Sequence, residues 1–438
     1  MNQLNYYFIK RTDFTDKILI ICSSLIPLSL AISIFFADML ASICGLVLIY
    51  FFLFKKNLDI FINVKKEIIF FSIFFIIILV SLAFSDYKSE SFLASFFYFR
   101  YFLLSLTIFY LLKKYAFYFK IFFFSVIISI CIVIFDSFFQ QIIGYNLFGY
   151  TKVGSLTNDT LIYLTSFFNE EKKLGSYLVR FTPLVLSLIY FYKPKLPFYL
   201  EFLALILIGS IVFFSSERTA LFLLFLTYFF YFLISNKKLY FLIIFFLSFL
   251  FLFNFNPDTR LVNKYINFTL EQIGLSSFFD DSKNQDTIVR YYSEEHENLT
   301  FTGLIIFKNN YLIGSGVKTF FQECEKLKKI YPKKENKRQN KLVCSTHPHN
   351  TYVQILSEIG FFGFLMVSIF FIRVFYNNFK ILIHKIKGRL EKVYYFINLS
   401  ILINILPLIP SGSFFNNWMS LMIFFSFGFW LFIKQKVN

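Results

Sequence analysis

The chain has 438 residues, of which 57% are hydrophobic and 23% are aromatic, and its formal net charge is +17. A mean hydropathy of +0.65 excludes a soluble protein of this length, because such a protein could not hide so much apolar surface. The positive charge raises the question of a nucleic-acid partner. The basic residues lie mostly beside the ends of apolar runs, which is the pattern of membrane proteins, so we exclude nucleic-acid binding.

Apolar runs of about 20 residues, long enough to cross ~30 Å of hydrocarbon, recur along the sequence. They predict an all-α polytopic membrane protein with about 12 transmembrane helices. Residues 1–255 hold nine of these spans and an outer loop at 140–174, residues 256–350 form a large outer loop, and residues 351–438 hold the last three. The predicted spans are 17–36, 38–54, 68–84, 92–112, 118–139, 174–192, 197–214, 219–235, 239–255, 351–376, 393–410 and 414–433.

The distribution of charge predicts the orientation of the chain. With the N-terminus inside, the short outer connections hold only two basic residues, Lys88 and Arg218. Basic residues concentrate on the cytoplasmic side of membrane proteins, so we expect both termini to be cytoplasmic. The inner connections that carry the other flanking Lys and Arg residues lie within 10–17, 55–66, 113–120, 193–195, 237–238, 380–392 and 434–436.

The large outer loop contains a basic stretch, residues 326–341, and two cysteines, Cys324 and Cys344. The basic stretch is typical of a solvated surface loop, and it could also contact anionic lipid head groups. If the loop is periplasmic, it lies in an oxidising compartment, so we predict a disulfide between Cys324 and Cys344. Neither cysteine has the spacing of a zinc ligand, and we predict no metal site.

Arg218 is the first candidate for chemistry, because it lies in a very short connection between two predicted spans. At the outer membrane face an Arg can bind a phosphate or diphosphate with two parallel hydrogen bonds. The alternatives are an Arg that extends to the interface or one that pairs with its neighbour Glu217.

His349 is the second candidate, because it stands at the start of the predicted span 351–376. On one continuous helix, Gly360 would return to within about 20° of His349 and Gly363 to within about 40°. The two glycines would let a neighbouring helix approach, so this face would point into the bundle with His349 above it. A His here could act as a general base, or it could simply bond backbone groups at the helix start.

The large loop holds a third polar segment, with Arg290 and His296 ahead of Gly314-x-Gly316. The Gly-x-Gly follows no predicted strand, so we interpret it as a tight turn and not as a dinucleotide-binding motif. The sequence contains no phosphate-binding P-loop and no pair of carboxylates with metal-ligand spacing. We therefore expect no cofactor.

These residues resemble a known family. His349-Asn350, nine residues, and then Gly360-Phe361-Phe362-Gly363 fit the H[NSQ]-x9-G-x-x-G pattern of O-antigen ligases and O-antigen polymerases. The Ser-x-Arg-x-Ala sequence around Arg218, the Gly-x-Gly turn and the large loop ahead of the His motif also resemble that family. The similarity covers residues 175–363, and the earlier spans match only in layout.

The resemblance implies a GT-C-type membrane glycosyltransferase that acts at the periplasmic face of a bacterial inner membrane. Its donor would be a glycan on undecaprenyl diphosphate, and its acceptor would be another glycan or lipid A-core. Arg218 would bind the diphosphate and His349 would deprotonate the acceptor hydroxyl. One direct displacement would invert the anomeric carbon without a metal, because the diphosphate is already an activated leaving group.

The chain departs from the family at one position. Family members often place an Arg about 18 residues before the Gly-x-Gly, and here that position is His296. Either His296 takes this role, as a cation, or the register of the loop differs and Arg290 serves. Arg180 is a further candidate for substrate binding, facing outward near the top of the sixth span or buried in it. Asn350, beside the base, is another.

The resemblance leaves the acceptor open, because a ligase and a polymerase share the motif. Transfer of the glycan to a protein is a third possibility within the same chemistry. A transporter or a flippase of lipid-linked glycan is the alternative outside it. Transporters usually carry polar groups near the middle of the bilayer, whereas the distinctive residues here cluster at the predicted outer face.

Overall fold

A computed structural model describes residues 12–54, 59–153, 163–192, 197–235, 265, 269–270, 293–330, 341–384 and 388–437. These residues form helices, two short 3-10 turns (Asp59–Val64 and Ser166–Phe168) and two isolated β-bridges, without any longer strand. The all-α prediction is therefore confirmed. The α-helices are α1 (Phe14–Ile32), α2 (Ile34–Phe54), α3 (Lys65–Phe84), α4 (Lys88–Phe96), α5 (Phe99–Lys114), α6 (Tyr118–Ile143), α7 (Leu174–Tyr192), α8 (Phe198–Phe214), α9 (Arg218–Ile234), α10 (Glu294–Asn309), α11 (Phe320–Ile330), α12 (Thr351–Ile383), α13 (Arg389–Asn404) and α14 (Asn417–Val437).

Eight segments in the described part of the chain are long and apolar enough to cross a membrane. They comprise α1, α2, α3, α6, α7, α12, α14, and the pair α4 and α5 counted as one segment. The helices α8 and α9 are apolar but shorter, and α13 is shorter still. The predicted span 239–255 lies outside the described residues, so the count of twelve remains a prediction.

Two predicted spans differ in their course. The span 92–112 is divided into α4 and α5, because the chain makes a turn at Phe97 and Tyr98. The span 351–376 continues to Ile383, and its helix is interrupted at Gly360. Hydropathy alone detects neither break, since each lies within a segment that is apolar enough on average to cross a membrane.

The packing places α14 at the centre of the bundle and α3 at its edge. In α14, 83% of the apolar window is buried inside the protein, whereas in α3 the figure is 17%. Aromatic rings fill the central contacts, with Phe424 of α14 packed against Phe71 of α3 and Tyr98 beside α5. Such edge-to-face ring pairs add about 0.5–1.5 kcal/mol each beyond their burial.

The bundle has two polar ends. We call the end that carries Lys114 and Lys434, where α5 and α14 finish, the basic end. We call the opposite end, where α12 and α14 begin, the site end. Asp16 and Lys114 form an ion pair at the basic end, 2.8 Å apart, while Arg100 and Asp38 pair at 2.9 Å at the site end. Each end of the bundle therefore holds a cation paired with a carboxylate.

Candidate functional site

His349 lies just before α12, in a left-handed backbone conformation with φ of +51°. The next residue, Asn350, caps the helix, because its side-chain oxygen accepts hydrogen bonds from the N–H groups of Tyr352 (3.0 Å) and Val353 (3.1 Å). The backbone oxygen of His349 accepts from the N–H of Ser411 (2.8 Å). His349 is therefore fixed outside the helix, and the prediction that it occupies a helical face was wrong.

Gly360 breaks α12 eleven residues after His349. Its φ of 73° and ψ of −169° lie in a region that only glycine enters readily. A Cβ atom at Gly360 would lie 2.4 Å from the backbone oxygen of Leu312. The angular argument that placed both motif glycines on one helical face with His349 is therefore wrong, since no continuous helix joins them. Gly363 instead stacks under the side chain of Ile359, one turn earlier.

The break in α12 is filled by the Gly314-x-Gly316 turn. The N–H of Ser315 donates to the backbone oxygen of Ser357 (2.9 Å), and the N–H of Phe361 donates to the oxygen of Tyr311 (3.0 Å). Both bonds replace ones that an unbroken helix would make within itself. Gly314 has a φ of +78°, as a tight turn requires, and a Cβ there would collide with the α12 backbone. The two glycine motifs therefore form one interlocked unit.

Three of the four histidines of the chain meet at the site end. The ring centroids of His296 and His349 are 5.5 Å apart, and those of His347 and His349 are 4.2 Å apart. His347 is held in place, with its Nε2 3.3 Å from the backbone oxygen of Ser411. Within the described residues, no hydrogen bond involves the ring nitrogens of His349, so a ring nitrogen is available to accept a proton.

His296 reaches His349 because α10 packs closely across the start of α12. Gly303 makes this approach possible, since a Cβ there would lie 2.4 Å from a methyl group of Val353. At the first turn of α10, the hydroxyl of Ser293 and Nδ1 of His296 are 2.6 Å apart, which sets the direction of the ring. Sequence reasoning named His296 only by its spacing from the glycines, and the structure adds the contact with His349.

Two contacts anchor the segment that leads to His349. Cys324 of α11 and Cys344 are joined by a disulfide. The backbone N–H of Lys341 donates to the side chain of Asn298 (2.9 Å), so the segment lies along α10. Of the predicted basic stretch 326–341, residues 331–340 lie outside the described part. Lys326 pairs with Asp86 at 2.7 Å, so at least one positive charge of the basic stretch is neutralised within the protein.

Burial determines the charge of the histidines. Partial burial lowers the pKa of His349, opposed by the nearby carboxylate of Glu295. Burial, His349 and Arg218 together lower the pKa of His296. Burial lowers the pKa of His347 to about 4. All three rings are therefore neutral at neutral pH. The lowered pKa of His349 favours the neutral form that a general base needs, and the lowered pKa of His296 disfavours the cationic form.

Arg218 begins α9 and is half-buried near His296. Its Nη1 lies 3.4 Å from the hydroxyl of Thr269 in the large loop. Ser216, two residues before Arg218, has a φ of +61°, so the α8–α9 connection turns sharply ahead of Arg218. Arg218, His296 and His349 come from three distant parts of the sequence and meet at one end of the bundle.

Glu217, next to Arg218, faces the other way and ties α7 to this connection. Its carboxylate accepts hydrogen bonds from the N–H of Gly175 (2.6 Å) and from the N–H and hydroxyl of Ser176 (3.0 and 2.6 Å). The orphan N–H groups at the start of α7 are thereby satisfied. The sequence left open a pairing of Glu217 with Arg218. In the structure, the carboxylate of Glu217 instead binds the start of α7.

Arg180 is buried within α7, and so the outward position is excluded. Its Nη1 donates to the backbone oxygen of Ile403 (3.2 Å) and to the side-chain oxygen of Asn404 (3.1 Å) at the end of α13. A cation at a helix C-terminus satisfies carbonyls that have no partner within the helix. Arg290 lies outside the described residues, so its alternative role in place of His296 stays a prediction.

Two further features have chemical potential. Glu358 is fully buried on α12, and a carboxylate inside an apolar run is a signal for function that the sequence already contains. His347 was not among the predicted candidates, although it contacts His349. In the described ranges, no group of three His, Cys, Asp or Glu side chains has a geometry that could hold a metal ion.

A family model described as O-antigen ligase matches residues 203–368. The matched segment runs from α8 to the first part of α12, and it includes Arg218, His296, His349, Gly360 and Gly363. Arg180 and α13 lie outside it. The match supports the resemblance that the His349 motif carries. No curated protein matches the chain significantly.

Proposed function

We propose that this chain, whose residues 203–368 match the O-antigen ligase family, transfers a glycan from undecaprenyl diphosphate to an acceptor hydroxyl. It would work in the inner membrane of a bacterium, with both termini cytoplasmic and the site end at the periplasmic face. The observation that carries the proposal is the meeting of Arg218, His296 and His349. His296 contacts His349 and is within electrostatic range of Arg218, so a base and a cation lie at the same end of the bundle, as displacement at a diphosphate requires.

The proposed reaction is a single displacement. His349 takes the proton of the acceptor hydroxyl as its oxygen attacks the anomeric carbon. The bond from that carbon to the diphosphate oxygen breaks, and the electron pair leaves with the diphosphate. Attack from the opposite face inverts the anomeric configuration. The step needs no metal, because the guanidinium of Arg218 stabilises the charge that develops on the leaving group.

The other residues of the site support these two. Neutral His296 can donate one hydrogen bond to a phosphate oxygen. The start of α12, next to His349, carries the positive end of a helix dipole, which favours an anion. We assign Asn350, the N-cap, the role of positioning this helix end, and we assign Gly360 and Gly363 the role of shaping α12. Arg290 remains a candidate for phosphate binding, and Arg180 is more simply explained as the cap of α13.

Replacement of His349 tests the proposal. His349→Ala should reduce glycan transfer from purified lipid-linked donor about 10²–10⁴-fold, the usual contribution of a general base. The matched control is His384→Ala, because His384 lies at the opposite end of α12 and is exposed. That variant should transfer at the normal rate. Transfer at the normal rate by His349→Ala would exclude the catalytic assignment and favour the alternative of a transporter or flippase.

The acceptor can be identified from the glycolipids of a deletion strain. A core that bears a single repeat indicates a lost polymerase. A bare core with accumulated lipid-linked polymer indicates a lost ligase. An unchanged lipopolysaccharide, together with the loss of a glycan from a protein, indicates transfer to protein.

A further inference from the structure

The connection between α13 and α14, residues 405–416, is bonded to the start of α12 and lies outside the segment that matches the family model. At one end of the connection, the hydroxyl of Tyr352 donates to the backbone oxygen of Ile405 (3.0 Å). Near the other end, the N–H of Phe414 donates to the side-chain oxygen of Gln354 (2.8 Å). The connection is therefore fixed to α12 near both of its ends.

Ser411, in the middle of this connection, contacts both histidines of the His347-x-His349 segment. Its N–H donates to the backbone oxygen of His349 (2.8 Å), and its own backbone oxygen lies 3.3 Å from Nε2 of His347. Its hydroxyl is 2.9 Å from that of Thr351, the first residue of α12, and both residues are buried. One residue of the connection thus holds the chain on both sides of the helix N-cap.

The contacts of His347 determine which of its nitrogens carries a hydrogen. A backbone carbonyl can only accept, so Nε2 of His347 is the donor in the bond to Ser411. Burial lowers the pKa of His347 to about 4, so the ring is neutral at neutral pH and its Nδ1 is an acceptor. The hydroxyl of Thr346, 3.0 Å away, donates to this Nδ1. Both ring nitrogens of His347 are therefore engaged within the protein.

His349 has a backbone conformation that needs support. Its φ of +51° is left-handed, a conformation that a residue with a side chain keeps only where its surroundings hold it. His347 supports it in two ways. The ring of His347 contacts the ring of His349, with centroids 4.2 Å apart, and Nε2 of His347 is bonded to the residue whose N–H binds the His349 backbone.

We propose that His347 is a positioning residue for His349. Its hydrogen bond to Ser411 fixes the peptide that holds the His349 backbone, and its ring fixes the direction of the His349 ring. A general base must be held at hydrogen-bond distance from the proton that it removes, so its rate depends on this placement. The inference rests on the proposed function, because it takes His349 to be the base.

The first test compares two replacements of His347 in transfer from purified lipid-linked donor. His347→Ala removes the bond and the ring, and should lower kcat up to about 10²-fold, the cost of a misplacement of about 1 Å, with unchanged KM values. His347→Gln keeps an amide nitrogen near the position of Nε2, so the bond to Ser411 can form. It should recover about fivefold to tenfold of the loss, which is the value of one hydrogen bond.

The second test repeats His347→Ala in the His349→Ala background. Without the base there is nothing to position, so the double variant should transfer as slowly as His349→Ala and no slower. A residue that serves only the fold would lower transfer by the same factor in both backgrounds, and that result would overturn the proposal. Equally low kcat values for His347→Ala and His347→Gln would also overturn it, because His347 would then act by its own proton.

Thr351→Val provides a variant that leaves both histidines in place. Valine has the shape of threonine but lacks the hydroxyl that meets Ser411, so kcat should fall about fivefold with unchanged KM values. The matched control is Ser187→Ala, which removes a buried hydroxyl that bonds α7 to the backbone oxygen of Val393 on α13 (2.8 Å). The control should keep the normal kcat.

The inference fails if His347→Ala and Thr351→Val both keep the normal kcat at a temperature where they are folded. If His347→Ala does not fold, Thr351→Val decides alone. Failure of the proposed function gives a different result, namely normal transfer by His349→Ala. Loss of transfer in His349→Ala with normal kcat in His347→Ala overturns the positioning role alone.

Discussion

The two ends of the bundle differ in how their polar groups are bonded and in the backbone conformations that hold them. At the basic end, buried Asp16 is surrounded by donors, with Lys114 at 2.8 Å and the hydroxyl of Tyr115 at 2.6 Å. Lys434 and Glu67 also form an ion pair there. At the site end, groups are held in strained backbone or left partly unsatisfied. Every described non-glycine residue with positive φ belongs to connections at that end, namely Ser166, Asn169, Ser216, Lys318, His349 and Leu408.

This difference separates anchoring from function. Paired charges at the basic end stabilise the bundle. Strained residues cost of order 1–3 kcal/mol each, so they persist only where the surrounding structure holds them in place, and they are common at active sites. The contrast predicts that substitutions at the site end change transfer, whereas substitutions at the basic end change stability.

The largest effect on transfer, beside that of His349, is expected at Arg218. Arg218→Ala should lower kcat about 10²–10³-fold, because the charge on the leaving diphosphate loses its stabilising cation. Arg218→Lys should recover part of the rate, since an ammonium group keeps the charge without the two parallel hydrogen bonds. Rates with purified lipid-linked donor measure both. An Arg218→Ala variant as fast as the unaltered protein would remove Arg218 from the mechanism.

Next is the interlock of the two glycine motifs. Gly360→Ala should destabilise the protein by at least about 3 kcal/mol, because it forces alanine into a glycine-only conformation and against the Leu312 backbone. Thermal unfolding in detergent or nanodiscs measures this. Gly388→Ala is the control, since a Cβ there meets nothing within 4 Å. Equal melting temperatures for the two variants would contradict the interlock.

At the basic end, we expect a substitution to lower stability and to leave the rate of transfer unchanged. Asp16→Asn removes the partner of Lys114 and should cost about 1–3 kcal/mol of stability, because hydrogen bonds to a charged group are lost from a buried position. The rate of transfer at a temperature where the variant is folded should stay within about twofold of normal. A large loss of transfer without a loss of stability would show that the two ends are not separate in function.

The smallest expected effect is that of pH on the rate of transfer near neutrality. The lowered pKa of His349 keeps the ring neutral as the pH falls to 6.5, the ordinary value for histidine. Transfer should therefore be constant from neutral pH to about 6.5 and decline below it, as His349 takes up a proton and can no longer act as a base. Initial rates across this range test the direction. A decline whose midpoint lies above 6.5 would mean that the pKa of the base is raised.

Much of the helical layout follows from the sequence, because hydropathy reports burial in lipid directly. The prediction of 118–139 corresponds to α6 (Tyr118–Ile143), and 414–433 corresponds to α14 (Asn417–Val437). The alternation of basic ends is a prediction of the same local kind, since flanking lysines mark it one connection at a time. These are local properties, and each requires only a window of the sequence.

The parts that the sequence did not reveal are long-range contacts. The break at Gly360 depends on the turn at Gly314, which lies 46 positions earlier and supplies its hydrogen-bond partners. Burial and the neighbouring His349 lower the pKa of His296, an effect that its spacing from the glycine motif cannot show. Only the Gly314-x-Gly316 and Gly360-x-x-Gly363 motifs, considered together, could have indicated that the turn contacts α12.

A structure of the protein with a non-transferable lipid-diphosphate donor analogue tests the central claim most directly. The account predicts the diphosphate at the site end, within hydrogen-bond distance of the Arg218 guanidinium, with the anomeric carbon on the side of His349. Binding of the analogue at the basic end, or at the site end with Arg218 and His349 both out of contact, would contradict it.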